Sequence, residues 1–508
     1  MRMEVYLGID LGTSCIKAAF LSSSGDILGL GSADVSLSLP QPGFAEQDPE
    51  EWWSASKTAV AIAKQQCPDA EIRGIGVSGQ MCGSVLLDRD GNVLDRCIIW
   101  LDQRAEQENE EVKQILGLDR ILDVTANYPL VSLWSPKLLW LRRHKPEIYE
   151  KTAHVLFPKD YLKWKLTGIL DIDVTDAPAS GLFNTSRRTW EDEFFEKLWI
   201  DRSIVPAGAS ESTDIVGTVT PEAAAWLDIP AGIPVVGGGG DQMCGACGLG
   251  VVDTGLVSST IGTSGCVFSF SPHCVIDRQP RALLSYCHSV PGSWCVYGCT
   301  LMSGGSLRWL RDTMMPGMDY DAMTALAEKA QPGSEGLIFL PYMNGERTPH
   351  PDPNARGVFF GLSPRHGQGE IIRSVMEGVA FSLCDTVEML REMDVPVREV
   401  RAAGGGAVSP LWRQIQADIF RTDVVTTNVA ESPATGAAMM AAVGAGAFSG
   451  LKEAAETVVR ITSRTEPSAR NEQIYADYYE TYRALYGALQ GLFTSQARKV
   501  QRWNGNSD

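Results

Sequence analysis

At 508 residues the chain is too long for one ordinary hydrophobic core, so two large domains, or three, are expected. With 44% apolar and 21% charged residues it is globular rather than disordered or fibrous, and 62 acidic against 44 basic residues leave a net charge of −18, which argues against a nucleic-acid partner. No run approaches the ~18 apolar residues that cross a bilayer, and Asp10 interrupts the only N-terminal stretch that would serve as an export signal, so the expectation is a cytoplasmic protein with no membrane contact.

The residues from Val5 to Ile9 read as a strand running into Asp10, Gly12 makes a turn, and KAAFLSSSGDILG continues as strand, turn and strand. Asp48 followed by Pro49 and two glutamates is a helix cap, and WWSASKTAVAIAKQ continues that helix. GIGVSG and SVLLD are two further strands split by Gln80 to Gly83. Gly74 to Gly79 match the dinucleotide pattern GxGxxG, but they lie inside the apolar run with no helix behind them, and we reject that reading. No Gly-Lys pair occurs, so the GxxxxGK[ST] loop is absent as well. SPKLLWLRRHKPEIY reads as helical. The first half closes with IPAGIPVVGGGGDQMCGACGLG, a buried strand, four glycines and an acid leading into a helix of small residues. Its Cys244 and Cys247 form a CxxC with no second pair at zinc spacing, so we read them as packing and all twelve cysteines as reduced thiols.

The second half opens with VSSTIGTSG, repeating the strand, turn and strand of the N-terminus. A long helix follows in which Ile372, Val375, Val379, Leu383, Val387 and Leu390 fall at steps of three and four. VREVRAAGGGAVSPLWRQIQADIF gives a strand, three glycines and a helix capped by Ser409 with Pro410 at its start. The stripe Ile474, Tyr478, Tyr482, Leu485, Leu489 and Leu492 marks a last packed helix. The expected division is 1–250, 251–495 and a loose tail over 496–508.

Leu-Gly-Thr-Ser at Leu11 to Ser14 returns as Ile-Gly-Thr-Ser at Ile261 to Ser264, each after a strand. Glycine without a Cβ lets backbone N–H groups and hydroxyls converge on an anion, so Gly12, Thr13, Ser14 and Lys17 on one side and Gly262, Thr263 and Ser264 on the other are candidate phosphate contacts. Two such turns suit one triphosphate tail, which a divalent cation and backbone amides neutralise whatever the net charge. Asp241, after four glycines, is the candidate to take a proton from an acceptor hydroxyl, with Gln242 beside it; a helix-capping aspartate is the alternative. Asp10 is placed to hold Mg²⁺ near the phosphates, with a simple turn aspartate as its alternative.

These residues resemble the FGGY carbohydrate kinases of the actin-like ATPase superfamily, nearest their xylulokinase branch. The likeness runs through GIDLGTSCIK, PGFAEQDPEEWW, GVSGQMCGSVLLD, IIWLDQRA, SPKLLWLRRHKPEIY, FPKDYLKWKLTG, GGGGDQ, STIGTSG, PYMNGERTPHPDPNARGVFFGL and AAGGGAVSPLWRQIQADIF. It implies an α/β fold of two ribonuclease-H-like domains with ATP and sugar in the cleft between them. It further implies a general base at Asp241 and Mg²⁺ at Asp10 and Asp241. Sugar contacts fall on Met81, Cys82, Asp102, Asp241 and Gln242, and adenine and ribose contacts on Gly304, Gly305, Gly404, Gly405, Gly406 and Ser409. Xylulokinases usually carry His where this chain has Cys82, and a thiol is smaller and a poorer hydrogen-bond partner. The implied reaction is ATP-dependent phosphorylation of a terminal hydroxyl, first of D-xylulose, with other ketoses, pentitols and sugar acids behind it. An actin-like ATPase or a sugar-sensing pseudokinase is the alternative of another class. Whether apolar helices close a homodimer or only a core stays open.

Overall fold

The computed structural model describes residues 3–504 and builds them around two seven-stranded mixed sheets. In the first, β1 (Glu4–Leu11), β2 (Cys15–Ser22) and β3 (Ile27–Asp34) form an antiparallel meander. Helix α1 (Pro49–Gln65) then leads to β4 (Glu71–Gly79), which pairs parallel with β1. After a long helical excursion the sheet is completed by β5 (Ile215–Thr218), β6 (Pro234–Val236) and β7 (Gly239–Gly240), giving the order β5-β6-β4-β1-β2-β3 with β7 also on β4. The short helix α2 (Asp241–Gly248) leaves the end of β7.

The second sheet repeats that scheme. β8 (Gly255–Ile261) turns into antiparallel β9 (Gly265–Ser271), and β10 (Leu284–Cys287) and β11 (Trp294–Thr300) extend the meander. Helix α3 (Gly304–Met314) and the long α4 (Gln368–Glu392) precede β12 (Val397–Gly404), which pairs parallel with β8 as β4 does with β1. Helix α5 (Pro410–Phe420), β13 (Asp423–Thr427), α6 (Ser432–Gly444), β14 (Ile461–Thr465) and α7 (Ala469–Asn504) complete the chain. The strand order β3-β2-β1-β4 in one half and β11-β9-β8-β12 in the other is one arrangement built twice.

Local chemistry explains most boundaries. Asp48 caps α1 by accepting from Glu50 N at 3.0 Å, and Ser409 caps α5 by accepting from Trp412 N at 3.3 Å. The single helix expected across SPKLLWLRRHKPEIY is two, Trp134–His144 and Pro146–Tyr149, because Lys145 precedes a proline and leaves the helical region. In α7 the buried face is Tyr475, Tyr482, Leu485, Tyr486 and Phe493, whereas Leu492 is 64% exposed, so the expected stripe is rotated. The tail expected to be loose from 496 continues as helix through Asn504, and 505–508 lie outside the described residues.

Packing crosses the sequential midpoint. Helix α6, from the second half, lies on β1 and β4 of the first sheet and against α2. Gly8 and Gly76, opposite each other in register, make this possible: a Cβ on Gly8 would sit 1.9 Å from Ala434 O, and one on Gly76 2.1 Å from Ala437 O. Gly74 and Gly76, two of the three glycines that mimic a dinucleotide motif, thus serve to seat a helix. No helix of the described residues is long and apolar enough to cross a membrane.

Candidate active site

The two Gly-Thr-Ser turns sit at equivalent strand junctions. Gly12 N donates to Cys15 O at 3.0 Å between β1 and β2, and Gly262 N donates to Ser264 O at 2.9 Å between β8 and β9. Ser14, Thr263 and Ser264 are exposed, while Thr13 is half-buried and its hydroxyl accepts from Trp100 Nε1 at 3.0 Å. The second turn is braced by α3, since Gly304 N donates to Gly262 O at 2.8 Å and Gly305 N to Thr263 O at 3.1 Å. A Cβ on Gly304 would lie 2.4 Å from Gly262 O, so only glycine permits this approach.

A cavity of about 390 Å³ opens beside that turn, lined by Gly262, Thr263, Gly304, Gly305, Gly405, Gly406 and Ser409. Gly404 stands just behind, with φ 72, where a Cβ would meet Ile261 O at 2.5 Å. Sequence reasoning missed the rest of this wall: Arg308, whose Nη2 donates to Thr263 Oγ1 at 3.0 Å, Tyr320, and Val408, which is 79% exposed. An apolar face next to a glycine cradle and an arginine suits a nucleoside whose phosphates run toward the turn.

An adjoining cavity of about 200 Å³ is lined by Asp241, Gln242, Gly262, Ser264 and Cys266. Asp241 is the first residue of α2, one position inside the cap residue Gly240. Its carboxyl is pushed up to about 7, first by burial and then by the charge of Asp10. Asp10, 7% exposed on β1, accepts from Ser78 Oγ at 2.7 Å and is pushed up to about 6 by burial, with Ser78 and Lys17 pulling the other way. Asp10 Oδ2 has no hydrogen-bond partner among the described residues. Two close carboxylates with a free oxygen fit a hard divalent cation such as Mg²⁺.

The run before Asp241 is held from behind. Gly240 N donates to Thr175 Oγ1 at 2.9 Å, Thr175 Oγ1 donates to Asp173 Oδ1 at 2.5 Å, and Lys163 Nζ reaches Gly237 O at 3.0 Å. Lys159 and Lys163 lie among Asp160, Asp173 and Asp176, all buried, so this ion network fixes the strand end from which Asp241 projects.

Met81 packs on the same segment, since a Cβ on Gly240 would sit 2.9 Å from Met81 Sδ. Cys82 is buried with φ 65, a conformation rare outside glycine, and its carbonyl accepts from Lys137 Nζ at 2.9 Å. Lys137 also reaches Ile98 O and Ile99 O. Burial pushes the Cys82 thiol up to about 11, so it is neutral.

Two expected contacts are engaged elsewhere. Asp102 is 1% exposed, its Oδ2 accepts from Ala45 N and Arg104 Nη2, both at 2.7 Å, and it lines neither cavity: it fixes its own loop. Lys17 Nζ pairs with Glu431 Oε2 at 2.6 Å. Arg347 was missed: it forms no ion pair among the described residues and lies near Cys82, Tyr286, Tyr297 and Cys299. It lies in the segment PYMNGERTPH, whose mixed polar composition gives no pattern that singles it out.

Residues 5–248 match the N-terminal domain of the FGGY family of carbohydrate kinases, and residues 257–445 match its C-terminal domain. A xylulose kinase of Bacillus subtilis (strain 168) is 36% identical over 97% of this chain and 99% of that protein. A gluconokinase of Bacillus licheniformis is 31% identical over 97% of each. Among solved structures, the xylulose kinase from Rhodospirillum rubrum superposes with a TM-score of 0.90 at 31% identity, covering 96% of this chain and 100% of that one. With both halves of the family matched and its two lobes and cleft in place, the chain belongs to the FGGY family of carbohydrate kinases.

Proposed function

We propose that the protein transfers the γ-phosphoryl group of ATP to the terminal hydroxyl of D-xylulose, giving D-xylulose 5-phosphate. The observation that carries this reading is the cavity shared by Asp241 and the second phosphate turn, which puts a carboxylate beside the place where a γ-phosphate would end. The adenosine occupies the neighbouring cavity against Val408 and Tyr320. The acceptor hydroxyl gives its proton to Asp241 as its oxygen bonds to phosphorus and ADP leaves, so charge is conserved without a covalent enzyme intermediate. A carboxyl near 7 is a stronger base than an ordinary aspartate and is still about half ionised at neutral pH. Mg²⁺, held by Asp10 and Asp241, supplies neutralisation of the phosphate oxygens. Gln242 orients a second hydroxyl, and Met81 and Cys82 form the sugar's apolar side.

A sugar acid is the second reading, favoured by Arg347, an unpaired guanidinium close to Cys82. A panel of ketoses, pentitols and sugar acids with Mg-ATP, scored by kcat/KM for ADP release, separates the two. Asp241→Asn is expected to lower kcat by roughly 10²- to 10⁴-fold with sugar affinity kept. Near-normal turnover in that variant defeats the role of Asp241, and ADP release indifferent to every sugar defeats the kinase.

A further inference from the structure

Most of the twelve cysteines lie in the core, but Cys266 and Cys299 are partly exposed and directly opposite each other on antiparallel β9 and β11. Their side chains therefore leave the sheet on the same face. Directly opposed residues hold their Cβ atoms about 4.5–5.5 Å apart, and a disulfide needs about 3.5–4.5 Å. A strand shift on the order of an ångström closes the gap. Among the described residues no other two cysteines oppose each other directly in a strand ladder. Cys287 and Cys295 lie on neighbouring strands, but Cys295 opposes Tyr286 and Cys287 opposes Trp294, so the two thiols point to opposite faces and both are buried. Cys244 and Cys247 are one helical turn apart and buried.

The position of the pair gives it a consequence. Cys266 lines the cavity that holds Asp241 and follows Ser264 of the second phosphate turn by two residues. Cys299 is the last residue but one of β11, which runs into Ser303, Gly304 and Gly305, whose N–H groups hold the carbonyls of Gly262 and Thr263. A bond between these strands moves both supports of the turn together. The Cys299 thiol is pushed down to about 7, first by its hydrogen bond with Cys266 and then, against burial, by the nearby charge of Arg347.

We propose that Cys266 and Cys299 are a reversible oxidative modification site, closing to a disulfide on exposure to a hydroperoxide and suppressing phosphoryl transfer while closed. One thiolate attacks the peroxide oxygen, breaks the O–O bond and becomes a sulfenic acid as alcohol or water leaves. The second thiol attacks that sulfur, forms the S–S bond and releases water. Two thiols thus lose two electrons and two protons, and one hydroperoxide is reduced; a dithiol reductant reverses the change. The effect on turnover rests on the kinase reading above, whereas bond formation does not.

The test uses the full-length protein treated with hydrogen peroxide, quenched, digested without reduction and mapped by mass spectrometry. The expected result is a peptide pair joined through Cys266 and Cys299, with sugar-dependent ADP release reduced roughly tenfold or more, inside the ~10²-fold that a 1 Å misplacement costs, and recovered by dithiothreitol. Cys266→Ser and Cys299→Ser, each compared with its own untreated sample, are expected to lose both the link and the reversible inactivation. Oxidation of other cysteines with no such link overturns the proposal, as does reversible inactivation that persists in both variants. A link with undiminished turnover overturns the suppression. Should wild type phosphorylate no sugar, the peptide map still decides the bond, and the kinase reading fails separately.

Discussion

Asp241 is asked to be charged where charge is unwelcome. Burial and the carboxylate of Asp10 raise it from 3.8 to about 7, so between those values the folded, metal-free protein holds a proton that the unfolded chain has released. Stability therefore falls as pH rises across that window, then levels once both states are ionised. Asp241→Asn removes the term. Its stability advantage over wild type, measured by thermal melting in EDTA without nucleotide, should be small near pH 4, grow to roughly 4 kcal/mol by pH 7 and level off about one pH unit above that. An advantage independent of pH contradicts the raised carboxyl. The position of Asp241 at a cavity was legible because four glycines and an acid at a strand end mark a close backbone approach. The engagement of Asp102 by Arg104, two residues on, carries no pattern in the sequence that announces it. Arg347 reaches the site from a distant segment, and no local pattern announces which pocket a distant side chain enters.

Strand, turn and strand at both Gly-Thr-Ser sites could be read because alternation and turn chemistry are local. Helix α6 carries no such signal: SPATGAAMMAAVG is buried along most of its length, so no polar face marks its orientation. What fixes it is the absence of side chains on its neighbours. Gly8 and Gly76 admit it to the first sheet, a Cβ on Gly436 would lie 1.9 Å from Cys244 O, and one on Gly248 2.0 Å from Ser432 O. Gly76→Ala puts a methyl group into backbone that cannot withdraw without moving α6. It should cost about 3 kcal/mol in urea unfolding. Gly491→Ala is the contrasting case, on the exposed side of α7 with nothing within 4 Å of its Cβ, and should gain about 0.5–1 kcal/mol. Equal effects at the two positions would mean that the close approach at α6 is not a constraint.

Among the contacts between the lobes, two differ in kind. One contact is the seam of α2 and α6. The other lies across the cleft, where Asn127 of the first half donates to Ser285 O at 2.7 Å and accepts from Ser285 N at 2.8 Å, with Trp294 Nε1 donating to Thr185 O at 2.8 Å nearby. Asn127 thereby covers the edge strand β10 with side-chain hydrogen bonds, and both partners are buried. A kinase must keep water from the γ-phosphate while it holds the sugar, so a contact that ties the lobes together limits hydrolysis as well as unfolding. Asn127→Ala strands an N–H and a carbonyl of Ser285 and should destabilise the protein by about 2 kcal/mol. Because it touches neither cavity, its functional mark is a ratio: ADP released without sugar should rise relative to ADP released with it, as the lobes part more readily around bound ATP. If the variant is destabilised while that ratio stays at the wild-type value, the seam of α2 and α6 alone governs closure, and the far contact serves only to cover β10.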